Sequence, residues 1–541
     1  MERRSITRAL LWSGVAVALL LPALVLPPVP IDETRYLAVA WNMHLRGDWL
    51  VPWLDGAPYP DKPPLLFWLV NLAWNITGVH AWSARALEVL LGLTTLPLLR
   101  RLALALGADA AAAGLAVWLW LGCLGFAGFA GALMFDMLLC ACTLLAWLGT
   151  AWLVRGRTVP GVGLLGLGLG LGILAKGPVS LLVGGLPALL APWWASASRG
   201  SPGRHYLATV AALAGAALLA LAWAIPAARR GGPAYADAIF LTQTVGRVVE
   251  SFAHDRGPAW YLPIVPLLLL PWTVGLAACR TLLGRAANPP GRGSRRPAPA
   301  DGRLDRFALA ASVPAFLAFC LISGKQPHYL LPLLPALAPA AAVRLTDGRW
   351  RVVGWRVGLL LVVIALASLL ALLRLSTQAP AWTYACLAGA ILPGVVLLMR
   401  GAQPVGVPEA AVAMLLVVAL AKLALVQGLG PSYSVERAAT RIAAAQQAGI
   451  PLLQAGRQNG LYTFAGRLTA AIPTAEDAAQ VAAWARAHPD GWVISNYRDL
   501  DYPAPPLYRQ PFMGRHLTIW RARDIAGPAP VVRKAPSAHP S

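Results

Sequence analysis

IDETRYLAVAWNMHLRGDWLVPWLDGAPYPDKPP, residues 31–64, decides how the rest of the chain is read. It follows an apolar run, Ala9 to Pro28, long enough to cross a bilayer, and it is crowded with charge, aromatic rings and proline. Asp32, Glu33, Arg35, Asp48, Asp55, Asp61 and Lys62 all fall within it. A polar loop held between apolar segments is where a membrane protein keeps water-dependent chemistry, because ionisable groups inside hydrocarbon are costly. Asp48 and Asp55, in GDW and DGAP, have the setting of turn residues. The chain reads as a membrane enzyme.

Composition agrees. The 541 residues are 58% hydrophobic and 13% charged, whereas soluble globular chains carry about 25% charged residues. Apolar stretches of transmembrane length recur near 9–28, 84–103, 112–130, 137–153, 159–174, 179–195, 206–226, 259–279, 307–323, 329–343, 357–375, 382–399 and 410–429. The first has the basic flank of a signal peptide but no small-residue cleavage site, so it is read as a retained helix. The net charge of +22 is spread over loops of one parity, densest between Arg280 and Arg306. That is the positive-inside pattern, with the N-terminus cytoplasmic. No basic patch is interleaved with aromatics, which argues against nucleic acid. All six cysteines lie inside the expected spans, so no disulfide framework is implied.

The expected fold class is an all-α polytopic membrane protein of about 13 transmembrane helices, followed by a small C-terminal α/β domain on the outer side. The transmembrane domain covers residues 1–429, with a first outside loop at about 30–83. A soluble module covers 430–526, where helix-like and strand-like patterns alternate. Residues 527–541, rich in Pro, Ala and Ser, form a disordered tail. The glycine run Gly161–Gly172 lacks the strand–turn–helix setting of a phosphate loop and reads as a surface for close helix packing.

On this topology the scarce charges gather on one side. Asp136 (GALMFDML) and Lys176 (ILAKGP) sit at the outer ends of spans. Arg247 and His254 lie in the loop TQTVGRVVESFAHDRGPAWYLP, and Lys325, His328 and Tyr329 in the turn SGKQPHYLLP. Taken singly, Asp136 could end a helix and Lys176 could snorkel to the interface. His44, His80 and His328 show no ligand spacing and read as structural. Convergence of acids and bases from four loops outweighs these single readings. It suits transfer from a lipid-anchored phosphate: Arg and Lys hold the phosphate oxygens and stabilise the departing charge, while a carboxylate positions or deprotonates the acceptor.

DETRY, GDWLVPWLDGAPYPDKPPLLFW, the FDM segment, LAKGP, SFAHDRGPAWYLP and SGKQPHYLLPLLPALA, in this order, resemble the aminoarabinose lipid A transferase family. These are membrane glycosyltransferases of the GT-C superfamily, related to protein O-mannosyltransferases. The resemblance covers most of residues 1–345 and implies an inverting transferase using undecaprenyl or other polyprenyl phosphate sugars. It implies Asp32 as the principal catalytic carboxylate, with Asp136 a second acid. Arg35, Lys62 and Tyr329 match family residues at the donor phosphate, and Lys325 joins them. Glu33, Lys176 and Arg247 are further pocket candidates. Some family members tie the first loop to a later one through a divalent metal ion; the matching positions are Asp61, where Glu is common, and His254.

The expectation is a bacterial inner-membrane enzyme with its C-terminal domain in the periplasm. It would move a sugar, such as 4-amino-4-deoxy-L-arabinose, to lipid A or another envelope acceptor. The alternatives are transfer to a protein hydroxyl and, from another class, a carrier or flippase of lipid-linked sugars. Against the carrier, no paired halves with interrupted helices are evident.

Overall fold

The computed structural model describes residues 2–195, 201–240, 256–278, 302–376, 379–497 and 500–527. Among these, nine helices are long and apolar enough to cross a membrane, from Ala81–Leu106 to Val407–Leu429. Four of the segments expected as spans are shorter or interrupted. α1 (Glu2–Val25) has an apolar part beginning at Ala9. The 112–130 run divides at Gly122 into α5 (Ala110–Leu121) and α6 (Leu124–Phe129), and Leu124 N donates instead to Leu270 O at 2.7 Å. In 179–195 and 259–279 the helices are broken into short pieces. Pro187 and Pro192, and Pro263, Pro266 and Pro271, withhold backbone donors there.

α2 (Asp32–Arg46) begins at the charged loop. Two acids in its first turn and His44 and Arg46 in its last complement the helix dipole, and Gly47 ends it at φ 64°, a left-handed conformation that glycine adopts freely. Its buried face, Glu33, Tyr36, Leu37, Ala40 and Met43, follows helical spacing and packs on Phe67, Val70 and Trp74 of α3 (Leu65–Thr77). Between them, β1 (Trp53–Leu54) and β2 (Ala57–Pro58) pair antiparallel about Asp55 and Gly56. Both turn residues have positive φ, 50° and 87°, as a two-residue Asp-Gly hairpin requires.

α7 (Phe135–Val154) and α8 (Thr158–Lys176) form a tight antiparallel hairpin. A Cβ at Gly168 would lie 2.5 Å from Ala146 N, and one at Gly149 2.3 Å from Leu165 N. The glycine run thus serves backbone contact between helices, and that register brings the first turn of α7 beside the last turn of α8.

Beyond the last long helix, a five-stranded sheet has the order β6-β5-β7-β9-β8. β5 (Leu452–Ala455) is parallel to β6 (Thr474–Ala475) and β7 (Trp492–Ser495), while β9 (Arg515–Arg521) is antiparallel to β7 and β8 (Tyr508–Phe512). A further pair, β3 (Leu276–Ala278) and β4 (Trp350–Val352), lies apart from it. The helices Glu436–Gln447 and Ala478–Ala487 contribute to separate apolar clusters with the sheet. This sheet module rests on the first loop. Trp41 Nε1 donates to Leu468 O at 2.9 Å, Phe464 stacks on Trp74 at 5.5 Å, and Gly460 N donates to both Asp55 oxygens at 3.0 and 3.2 Å.

Candidate functional site

The start of α2 carries the first half of the site. Asp32 and Arg35, one turn apart, form an ion pair, and the Arg35 guanidinium lies 5.4 Å from the Tyr36 ring centroid. Burial opposes the charge of Arg35, but Tyr59, Tyr36 and Asp32 around it carry its pKa above the ordinary arginine value. Its Nε is buried with no hydrogen-bond partner. Lys62, partly buried, follows the β1–β2 hairpin and precedes α3.

The second half comes from three other elements. Asp136, 2% exposed in the first turn of α7, accepts from Lys176 Nζ at 2.5 Å. His328 Nε2 lies 3.8 Å from the other Asp136 oxygen. Lys176 Nζ also sits 4.5 Å from the centroid of the Tyr329 ring. His328 and Tyr329 open a 3-10 helix, Pro327–Leu337, whose prolines 332 and 335 keep it from closing into a regular α-helix. Asp32, Lys62, Asp136 and Lys176 are all within electrostatic reach of the His328 ring. The structure therefore brings Asp32, Arg35, Lys62, Asp136, Lys176 and Tyr329 to one end of the bundle. His328, read from sequence as structural, stands in their midst; its place beside Tyr329 in SGKQPHYLLP was the available signal.

Two residues have other surroundings than their neighbours in sequence suggest. Glu33 points away from Asp32 into the bundle. It pairs with Arg85 of α4 (Ala81–Leu106) and accepts from Val29 N at 2.6 Å and Leu133 N at 2.9 Å. Lys325, 1% exposed, donates to Arg256 O at 2.8 Å and to Ile322 O, tying the turn to the segment after residue 255. Arg247 and His254 lie outside the described residues. The expected metal pair is thus described only at Asp61, and no group of three or more His, Cys, Asp or Glu suited to a metal occurs among the described residues.

Such an arrangement can hold a tetrahedral anion against Arg35 and Lys62, with one partly exposed and one buried carboxylate, Asp32 and Asp136, both near His328. Residues 20–228 match the family described as dolichyl-phosphate-mannose-protein mannosyltransferase. The undecaprenyl phosphate-alpha-4-amino-4-deoxy-L-arabinose arabinosyl transferase of Edwardsiella ictaluri is 30% identical over 313 residues, 57% of this chain and 53% of the relative. The protein of the same name from Yersinia enterocolitica is 28% identical over 324 residues, 58% and 55% of the two chains. The chain spans about half the length of the relatives it matches. In three dimensions the likeness runs further. The crystal structure of ArnT from Cupriavidus metallidurans bound to undecaprenyl phosphate superimposes with a TM-score of 0.70 at 20% identity, over 96% of this chain and 99% of that one.

The chain has the ArnT fold. It is a multi-pass membrane protein, and the resemblance to aminoarabinose lipid A transferases read from its loops stands. Within the ArnT fold, Arg85 and Glu88 are among the ionisable residues at this end of the bundle that the sequence did not single out. They lie one turn apart in an apolar helix, where two charges are a signal by themselves. Arg85 serves Glu33, whereas the Glu88 carboxyl is buried beside Asp136 and Glu33.

Proposed function

We propose that this chain is an inverting glycosyltransferase. It takes a sugar from a polyprenyl phosphate, such as undecaprenyl phosphate carrying 4-amino-4-deoxy-L-arabinose, and passes it to lipid A or another envelope acceptor. The observation that carries the reading is the meeting of Asp32–Arg35, Lys62 and Asp136–Lys176 at one end of a bundle with the ArnT fold. The names of the sequence relatives support the choice of donor.

In the reaction, an acceptor oxygen attacks the anomeric carbon on the face opposite the phosphate. The new C–O bond forms as the bond to the phosphate oxygen breaks, and the leaving phosphate takes the electron pair. Arg35 and Lys62 would stabilise that charge, with Tyr329 and Lys325 as further donor-phosphate residues and Arg247 a pocket candidate. Asp32, about a third exposed, would meet the acceptor. An acceptor phosphate is already ionised near neutral pH and needs only orientation from Asp32; a hydroxyl needs its proton removed. Asp136, held by Lys176, would shape the sugar pocket. A divalent ion between Asp61 and His254 belongs to this reading as a tie between loops, checked by loss of activity on chelation and its return with added metal.

The proposed setting is a bacterial inner membrane crossed 13 times by residues 1–429, with the N-terminus cytoplasmic and residues 430–526 a periplasmic α/β domain before a disordered tail at 527–541. The one-sided arginines support it. So does the contact of the sheet module with the first loop, which needs both on the same face.

The test is the full chain in liposomes with undecaprenyl phosphate-aminoarabinose and lipid A, followed by mass spectrometry. Gain of one sugar mass on lipid A with release of undecaprenyl phosphate is expected. The match over residues 20–228 to the protein mannosyltransferases favours a protein hydroxyl as the second acceptor to try. Movement of intact donor across the vesicle without release of the phosphate would sink the transferase reading in favour of a carrier.

A further inference from the structure

On the far side of the Glu33–Arg85 pair lies a cavity of about 100 Å³, bounded by α1, Gly128 and the helix Val407–Leu429. It is at the same end of the bundle as the candidate site, since Gln427 Nε2 donates to Val25 O at 3.5 Å where the two helices finish side by side. Its volume is room for about three waters, or one tetrahedral oxyanion. Two basic side chains, Arg85 and Lys422, and one carboxylate, Glu33, line it.

The hydrogen bonds of the two bases are incomplete. Arg85 gives four of its five N–H groups to Leu26 O, Pro27 O and the two Glu33 oxygens. Lys422, two turns from the end of its helix, makes one hydrogen bond among the described residues, to Ala127 O at 3.2 Å. Two ammonium N–H groups and one guanidinium N–H thus remain for an incoming oxygen. A lysine in a span with so little of its hydrogen bonding met is expensive unless something anionic meets it. The remaining walls are apolar, and one of them opens toward lipid: Leu19 and Pro22 of α1 line the cavity, while Leu20, Leu21, Leu24 and Val25 beside them are 37–50% exposed.

We propose that this cavity binds the phosphate of an anionic membrane lipid, with Lys422 and Arg85 on the phosphate oxygens and the acyl chains along the outer face of α1. The bases outnumber the acid, so an anionic headgroup is preferred over a zwitterionic one. This is separate from the donor site at Arg35 and Lys62 and stands whatever reaction the chain performs.

The experiment is native mass spectrometry of the full chain, titrated with phosphatidylglycerol and, separately, with phosphatidylcholine. The wild type should prefer phosphatidylglycerol, and Lys422→Met should lower that affinity about fivefold while leaving phosphatidylcholine unchanged. Lys422→Arg should keep the preference. Gly128→Leu is the second probe: a Cβ there meets nothing within 4 Å, so the added side chain fills the cavity with both bases intact, and it too should weaken phosphatidylglycerol. If Lys422→Met does not fold, the Gly128→Leu result decides. Unchanged phosphatidylglycerol affinity in Gly128→Leu, or in a folded Lys422→Met, overturns the proposal. So does displacement of the lipid by an equal concentration of inorganic phosphate, which would mark a site for free anions.

Discussion

Asp32 and Glu33 are consecutive in α2, and each is paired with an arginine, yet the two pairs occupy different surroundings. The Asp32 and Arg35 side chains are 35% and 24% exposed and belong to one helix. Those of Glu33 and Arg85 are 7% and 5% exposed and join two helices, with Val29 N and Leu133 N completing the carboxylate. An open pair within one helix can exchange its partner for a substrate at little cost, because solvent screens what is left behind. A closed pair cannot, because removing either member leaves an uncompensated buried charge. One residue of helical rotation, about 100°, separates a group fit for chemistry from one fit for holding the fold.

The sharpest way to break this comparison is Asp32→Asn. It should lower sugar transfer by about 10²–10⁴-fold while shifting unfolding stability by no more than about 0.5 kcal/mol; normal transfer by a folded, inserted variant would remove Asp32 from the mechanism. Glu33→Gln and Arg85→Met should do the reverse, costing about 3–5 kcal/mol of stability, read as a lower unfolding midpoint in detergent. Should either be as stable as wild type, the closed pair is not structural. Lys176→Met probes the pair that lies between these extremes, 14% exposed on the lysine and 3% on Asp136. The loss of stability should be about 1.5–3 kcal/mol, together with a fall in transfer that the Glu33 variants do not show once folded.

The smallest effect concerns the sheet module. Burial carries the Asp55 carboxyl up to about 6, against the pull of its bonds from Gly460 N and Asn459 N. With the folded value above the ordinary one, Asp55 contributes stability that is complete below about pH 4 and is lost as the pH rises through about 6. Protection factors for hydrogen exchange in residues 456–470, corrected for the intrinsic rate at each pH, should therefore be higher at pH 5 than at pH 7.5, by a contribution on the order of 1 kcal/mol. Asp55→Asn should flatten that dependence; an unaltered slope would assign it to another group.

How far the sequence disclosed this arrangement depends on the residue. The DG turn and the glycine run that packs α8 on α7 were legible because each follows from local rules of backbone and packing. The opposite fates of Asp32 and Glu33 were not, since only Arg85 and Leu133, distant in sequence, decide which carboxylate is enclosed. Lys325 shows the same limit: its charge suggested a phosphate, and only the fold shows that Arg256 O and Ile322 O accept from it. That four of the expected spans are short or broken was not legible, because hydropathy counts proline-broken and continuous apolar runs alike.

The bond from Gly460 to Asp55, across 405 residues of chain, has a consequence for counting. Two segments in contact must lie on the same side of a bilayer, so the chain between them crosses it an even number of times. Among the described residues, the helices long and apolar enough to cross between these two points number nine, which is odd. An odd number of the shorter or broken apolar segments must cross as well. A reporter fused after each of them, scored for the face on which it appears, would find where the missing passage is made.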